Sequence, residues 1–248
     1  MKFIIAIDGP AASGKSSAAE IVAKVLGFQR IDSGLLYRAI TYLIYQKFGN
    51  FQAHDLNSEE VQIFVNALQI SQSNSRIFYD GKDITDYLRN PEIDLNVGKI
   101  AKELYIREKT HEIQRSLMEL DVPGIVIDGR DIGTVVVPNA FLKVFIAAKD
   151  TTRAQRRSKQ TGENYEDVLK KLQDRDRDDI NRKHGPLKKA EDAILIDNDN
   201  ITLEETVNQI IKYFKNRMDG NEEASKNPYF NKTVNLISKY FSERSVVI

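Results

Sequence analysis

The chain has 248 residues, with 36 basic residues set against 36 acidic ones and a formal net charge of zero. A general nucleic-acid or membrane-surface binder carries a basic excess, and this balance argues against both. Hydrophobic residues make up 41% and cysteine is absent, so there is ample material for a core but none for disulfides or thiolate metal sites.

The N-terminal "MKFIIAIDGP" is apolar, but Asp8 interrupts it and no small-residue cleavage signal follows. It reads as a strand over Phe3–Ile7 rather than a secretion signal. No run of about 18 apolar residues occurs anywhere, so a membrane-spanning helix is not expected. The expectation is a cytoplasmic monomer with no nucleic-acid or membrane partner.

Directly after that strand comes "GPAASGKSS": Gly9, Pro10, Ala11, Ala12, Ser13, Gly14, Lys15, Ser16 and Ser17. It matches G-x-x-x-x-G-K-[ST] and sits between an apolar strand and a run of helix formers expected over Gly14–Leu26. Glycines let such a loop wrap a phosphate with backbone N–H groups, and the helix start adds partial positive charge. Lys15 should reach the β- and γ-phosphates and the Ser16 hydroxyl should ligate Mg²⁺. A nucleoside triphosphate with magnesium is the expected ligand.

Further strands are expected over Phe28–Ile31, Ile125–Ile127, Leu142–Ala147 and Ala193–Ile196, and helices over Gly34–Lys47, Pro91–Leu120 (with a break inside it), Tyr165–Ile180 and Leu203–Arg217. Most of the five strand runs are nearly continuous in apolar residues, as strands covered on both faces are. Four of the five end in or just before an aspartate, Asp8, Asp32, Asp128 and Asp197, at the ends where open parallel sheets bind ligands. Alternating strands and helices predict a five-stranded parallel sheet flanked by helices. Gln69–Ile84 departs from that rhythm and reads as a hairpin turning at the Asp80–Gly81 pair. Residues 216–232 lack an apolar period and read as a linker, followed by an amphipathic segment over Val234–Phe241 that could dock, self-associate or fray.

A phosphate loop alone does not separate an ATPase, a switch GTPase and a kinase. The guanine-reading N-K-x-D is missing, since "NKTV" at 231–234 lacks the aspartate. A hydroxyl acceptor would call for a carboxylate base, whereas a phosphate acceptor is already largely a dianion at neutral pH. Bringing two anions together calls instead for arginines, whose forks match phosphate oxygens and stay charged. Arg38, Arg89, Arg107 and Arg130 lie at element ends or on apolar stripes. The segment "DRDRDDINR" at 174–182 adds Arg175 and Arg182, on a stripe that starts with Tyr165, Val168 and Leu172 and runs through Asp179. The rivals are a small-metabolite kinase with a hydroxyl acceptor and a nucleotide-dependent binding switch. His54, His111 and His184 have no metal spacing and read as structural or surface residues.

The stretches "IDGPAASGKSS", "DSGLLYRAIT", "DGRDIGTVVVPNAFLKVFIAA", "RAQRR" and "RDRDDINRKHGPLKKAEDAILID" resemble the bacterial-type cytidylate kinase family, from about Phe3 to Tyr213. The resemblance implies an α/β P-loop kinase core over 1–32, 91–150 and 185–218. It also implies an acceptor-binding region over 33–90 with an inserted β lobe and a helical lid over 151–184, while residues 219–248, outside the resemblance, read as a linker and C-terminal amphipathic extension. It implies γ-phosphoryl transfer from ATP to CMP or dCMP. Tyr37, Arg38, Arg89 and Arg130 would hold or border the acceptor phosphate. Ser33, Arg107, Asp131 and Arg182 would surround cytosine, and Arg175 and Asp179 would contact the sugar. Arg153, Arg156 and Arg157 would be available to donor phosphates, with Lys15, Arg130, Arg153 and Arg157 taking part in catalysis. The chain departs from the family at Gly98, where many members carry a small hydroxyl residue.

Overall fold

The computed structural model describes residues 2–49, 56–73 and 75–245. In chain order the elements are β1 (Phe3–Asp8), α1 (Lys15–Leu26), β2 (Gln29–Asp32), α2 (Ser33–Phe48), α3 (Glu59–Ala67), β3 (Ile70–Ser73), β4 (Arg76–Tyr79) and β5 (Lys82–Asp83). They continue with α4 (Pro91–Ile100), α5 (Leu104–Met118), β6 (Gly124–Gly129), β7 (Leu142–Ala147), α6 (Asp150–Thr161), α7 (Tyr165–Asn181), β8 (Ile194–Asp197), α8 (Leu203–Asp219) and α9 (Phe230–Ser245). The chain forms two compact units. One is Met1–Arg30 with Asp121–Asn181 and Gly185–Ile248, and the other is Ile31–Leu120 with Arg182–His184.

The first unit is built on the expected five-stranded sheet, in the order β2-β6-β1-β7-β8. β1 pairs in parallel with β6 and β7, and β7 with β8. The central strand β1 is flanked on both sides and buried along nearly its whole length, which explains its unbroken apolar run. In this register Asp8, the last residue of β1, lies opposite Gly129 of β6 and Phe145 of β7. The sheet thereby delivers the phosphate loop and the "DGRDIGT" turn to the same edge.

Beneath the sheet, Phe214 of α8 meets Phe3, Phe28 and Phe141 edge-on, with ring centroids 5.4, 5.7 and 5.5 Å away. Close approach here needs Gly124, because a Cβ at that position would lie 2.6 Å from the Phe28 ring. Residues 216–232 are not the linker expected from their polarity. α8 runs on to Asp219, a 3₁₀ turn follows over Glu222–Lys226, and Ala224 and Asn227 are buried. The terminal helix α9 docks: Ile237 and Tyr240 are buried, the Tyr240 hydroxyl donates to Asn208 at 2.7 Å, and Arg244 caps that ring and donates to Glu204. No helix among the described residues is long and apolar enough to cross a membrane.

The second unit carries the expected turn at Asp80 and Gly81, both at positive φ, but it joins β4 to the short strand β5, and β3 pairs antiparallel with β4 ahead of it, so the lobe has three strands rather than two. The helical run after Asn90 breaks as expected, into α4 and α5 across residues 101–103. These two helices cluster with the second unit, whereas the family resemblance assigns 91–120 to the core. α3 was not expected, although Ser58 caps it and Glu59 and Glu60 fill its first turn, a helix-start signature.

Phe214→Ala removes the ring that three others share. It is expected to cost ~3–5 kcal/mol of unfolding free energy, read by urea denaturation.

Candidate functional site

The loop between β1 and α1 has a backbone that few residues tolerate. Gly9 and Gly14 have φ of 156° and 89°, and a Cβ at Gly9 would lie 2.3 Å from the Ile146 carbonyl oxygen. Ala12 is held at φ 58°, a left-handed strain typical of functional loops. Gly14 caps α1 without any side-chain hydrogen bond, so the first N–H groups of that helix have no side-chain cap. The buried Ser13 hydroxyl also has no partner. Donors of this kind around a helix start form an anion cradle.

Lys15 lies in the cradle, 6% exposed, with its ammonium donating to the Pro10 carbonyl at 3.1 Å. Burial pushes its pKa down to about 7; Arg130 and Arg175 push the same way, opposed by Asp128 and Asp179. Arg130 donates to Asp179 of α7 at 2.8 Å. Burial is the main cost to that ammonium and the nearby guanidinium groups add to it, both of which a bound anion would offset.

Carboxylates hold this arrangement. Asp128, at the end of β6, accepts from the Ser16 hydroxyl at 2.7 Å and from Arg30 at 3.1 and 3.0 Å. Asp8 accepts the N–H groups of Ile132 and Gly133 at 2.8 and 2.7 Å, stapling the turn after β6. Burial outweighs those bonds and raises the Asp8 pKa to about 6. Asn198 donates to the Ser13 carbonyl at 2.8 Å and accepts from Thr206. The hard oxygens of Ser16 and Asp128 suit a magnesium ion. Among the described residues no group of three or more His, Cys, Asp or Glu is placed to hold a metal, so such an ion would rely on Ser16 and on phosphate oxygens.

α6 and α7 pack over the loop through Ala154, Val168 and Leu172 against Ala11. Arg153, expected among the donor-phosphate ligands, is already engaged. It donates to the carbonyls of Ala148 and Ala11 at 2.9 and 3.0 Å and pairs with Asp176 at 2.6 Å. Arg156 donates to the Asn198 carbonyl at 2.6 Å, while Arg157 is exposed. Arg175, Asp176 and Asp179 are half-buried on the stripe behind Leu172, but α7 ends at Asn181, so Arg182 is not on that helix face and falls in the second unit. Asp131 is buried in the first unit.

The second unit has its own cationic group. Arg107, only 1% exposed, lies over the Tyr37 ring at 5.8 Å and donates to the Ala101 carbonyl. Arg38 donates to the Leu88 carbonyl at 3.1 Å and pairs with Asp94. Arg89 is exposed beyond the 3₁₀ turn that ends at Leu88. Burial first, then Arg107, Arg115 and Arg182, pushes the His111 pKa down to about 4. Ser33, the first residue of α2, is buried and bonded to Gln114. His54 lies outside the described residues.

Sequence reasoning missed Asp128 as an anchor, and with it Arg30, Asp176, Asn198 and Gln114. Their partners are far away in the chain. The aspartates closing strands were the one signal available.

A strand, a glycine loop with a buried lysine and an uncapped helix start at the edge of a parallel sheet define a P-loop nucleotide-binding protein. The cytidylate kinase family model matches residues 5–216. A probable cytidylate kinase of Vairimorpha ceranae is 41% identical over 220 residues, covering 88% of this chain and 100% of the relative. Cytidylate kinases of Thermosipho melanesiensis and Clostridium botulinum (strain Okra) are 39% and 40% identical, covering 86% and 85% of this chain and 97% of each relative. The chain belongs to the cytidylate kinase family.

Asp128→Ala would leave Arg30 buried, with Glu20 at 3.6 Å as a remaining acidic neighbour. It is expected to cost ~3–5 kcal/mol in denaturant unfolding, most of which Arg30→Met in the same chain restores.

Proposed function

We propose that the protein transfers the γ-phosphoryl group of ATP to CMP and dCMP, giving ADP and CDP or dCDP. The observation that carries this reading is the buried Lys15, with the half-buried Arg130 and Arg175 near it, at an uncapped helix start, in a chain matched by the family model over 5–216. On this reading the enzyme works as a monomer in the cytoplasm, where its nucleotide substrates are held.

The first unit supplies the donor end. Backbone N–H groups of Gly9–Ser17 cradle the phosphates and Lys15 neutralises the β- and γ-oxygens. Mg²⁺, held by Ser16, would add charge stabilisation as the bridging bond breaks. An oxygen of the acceptor phosphate attacks the γ-phosphorus in line. A new O–P bond forms as the bond to the β-phosphate oxygen breaks, and ADP leaves with the electron pair. The acceptor is already a dianion, so no general base is needed, and catalysis rests on positioning and charge.

Arg38 and Arg89, with Tyr37 and Arg130, take the acceptor phosphate. Asp131 accepts from the exocyclic amine of cytosine, a sense uracil cannot meet, while Ser33, Arg107 and Arg182 serve the ring. Arg175 and Asp179 take the sugar. Residues 151–184 act as the lid. In it Arg153 braces the Ala11 carbonyl and exposed Arg157 is the arginine available to donor phosphates. Gly98 stands in open space, with nothing within 4 Å of where a Cβ would lie, and offers no hydroxyl to a sugar.

A coupled assay with ATP and each of CMP, dCMP, UMP, AMP and shikimate tests the proposal. Turnover of CMP and dCMP is expected to lead, Lys15→Met to abolish it in a folded protein, and Arg182→Ala to raise the KM for CMP far more than that for ATP. A preference for shikimate, or ATP hydrolysis indifferent to every acceptor, would contradict it.

A further inference from the structure

Arg107, His111 and Gln114 fall at helical spacing along one face of α5, and this stripe is polar where a core-facing stripe is ordinarily apolar. Arg107 and Gln114 are each 1% exposed. The Gln114 side-chain Nε2 donates to the Ser33 hydroxyl at 2.8 Å, while its own Oε1 and the His111 Nε2 are buried without partners. A methionine or leucine would fill the place of Gln114 without leaving a carbonyl unsatisfied. What the amide adds is a single directed donor aimed at Ser33.

That donor sets the sense of the serine. A hydroxyl has one proton to give and two lone pairs. With one lone pair taken by the Gln114 amide, the Ser33 proton is turned away from α5 and left to donate. Ser33 starts α2 and is itself fixed, because Asp32 caps that helix by accepting the Leu35 N–H at 3.1 Å.

We propose that Gln114 is a specificity-positioning residue: by donating to Ser33 it makes that hydroxyl a fixed donor toward the bare ring nitrogen N3 of cytosine. Uracil carries a hydrogen on the same nitrogen, so the two donors would face each other. A site built to make one hydrogen bond rejects the analogue that cannot make it. The inference rests on the placement of Ser33 at the base; Gln114, being fully buried, acts through Ser33 and touches no substrate.

The test is the ratio of kcat/KM for CMP to that for UMP, in the wild type, Ser33→Ala, Gln114→Met, the double variant and Gln114→Glu. KM for ATP and thermal stability are measured alongside. The ratio is expected to fall about tenfold in each of the first two variants, no further in the double variant, and without change in KM for ATP. The carboxylate that Gln114→Glu introduces can only accept, so it turns the Ser33 proton inward, and this variant is expected to lose at least as much selectivity. It keeps the side-chain shape and decides the point should Gln114→Met not fold. If Ser33→Ala lowers the ratio while both Gln114 variants keep it, or if the losses add in the double variant, the positioning role is wrong and the base-site reading stands. If Ser33→Ala itself keeps the ratio, Ser33 does not read the base and the inference falls with that placement.

Discussion

The first unit depends on holding a buried lysine beside two half-buried arginines, next to a helix start that already carries partial positive charge. Lys15 is the extreme case. Below a pH of about 7 its ammonium is charged and opposes folding, and that opposition is relieved as pH rises from about 7 toward the ordinary lysine value of 10.5. The folded state carries this repulsion because the parallel sheet fixes the geometry. β1 and β6 end side by side, so the phosphate loop and the Arg130 turn emerge together whatever the charges prefer.

The counter-charges decide how that tension is contained. Asp128 holds Arg30 and Ser16, Asp179 holds Arg130, and Asp176 holds Arg153. None of the three neutralises Lys15 by direct contact. Asp8 is spent on two backbone N–H groups, which orders the turn without cancelling its charge. The result is a loop held by hydrogen bonds whose lysine keeps no carboxylate of the described residues in direct contact, a condition under which a bound polyphosphate gains from charge-assisted hydrogen bonds. The second unit repeats the theme with Arg107 over Tyr37 and a histidine whose pKa is pushed down first by burial and then by the arginines around it.

Much of this was legible in the sequence, and the reason is local. Most of the five strands announce themselves as nearly continuous apolar runs, β2 with Gln29 and Arg30 being the exception, and the phosphate loop as spaced glycines between a strand and a helix. What was not legible depends on pairs distant along the chain. Arg30 and Asp128 are 98 residues apart and Gln114 and Ser33 are 81 apart, so no periodicity links them. Composition misled at 216–232, where small and polar residues fold into a packed turn because Ala224 and Asn227 fit under α8 and α9. The charged stretch at 174–182 was legible up to Asp179 and not beyond, since the end of α7 takes Arg182 off the stripe.

The most direct measurement is the titration of the Lys15 side chain, followed by the NMR signal of its labelled ammonium group with and without ATP. The account predicts a midpoint near 7 in the free protein, as burial and Arg130 dictate, moving sharply upward once the polyphosphate is bound. A midpoint at the ordinary lysine value of 10.5 in the free protein, unmoved by ATP, would contradict it.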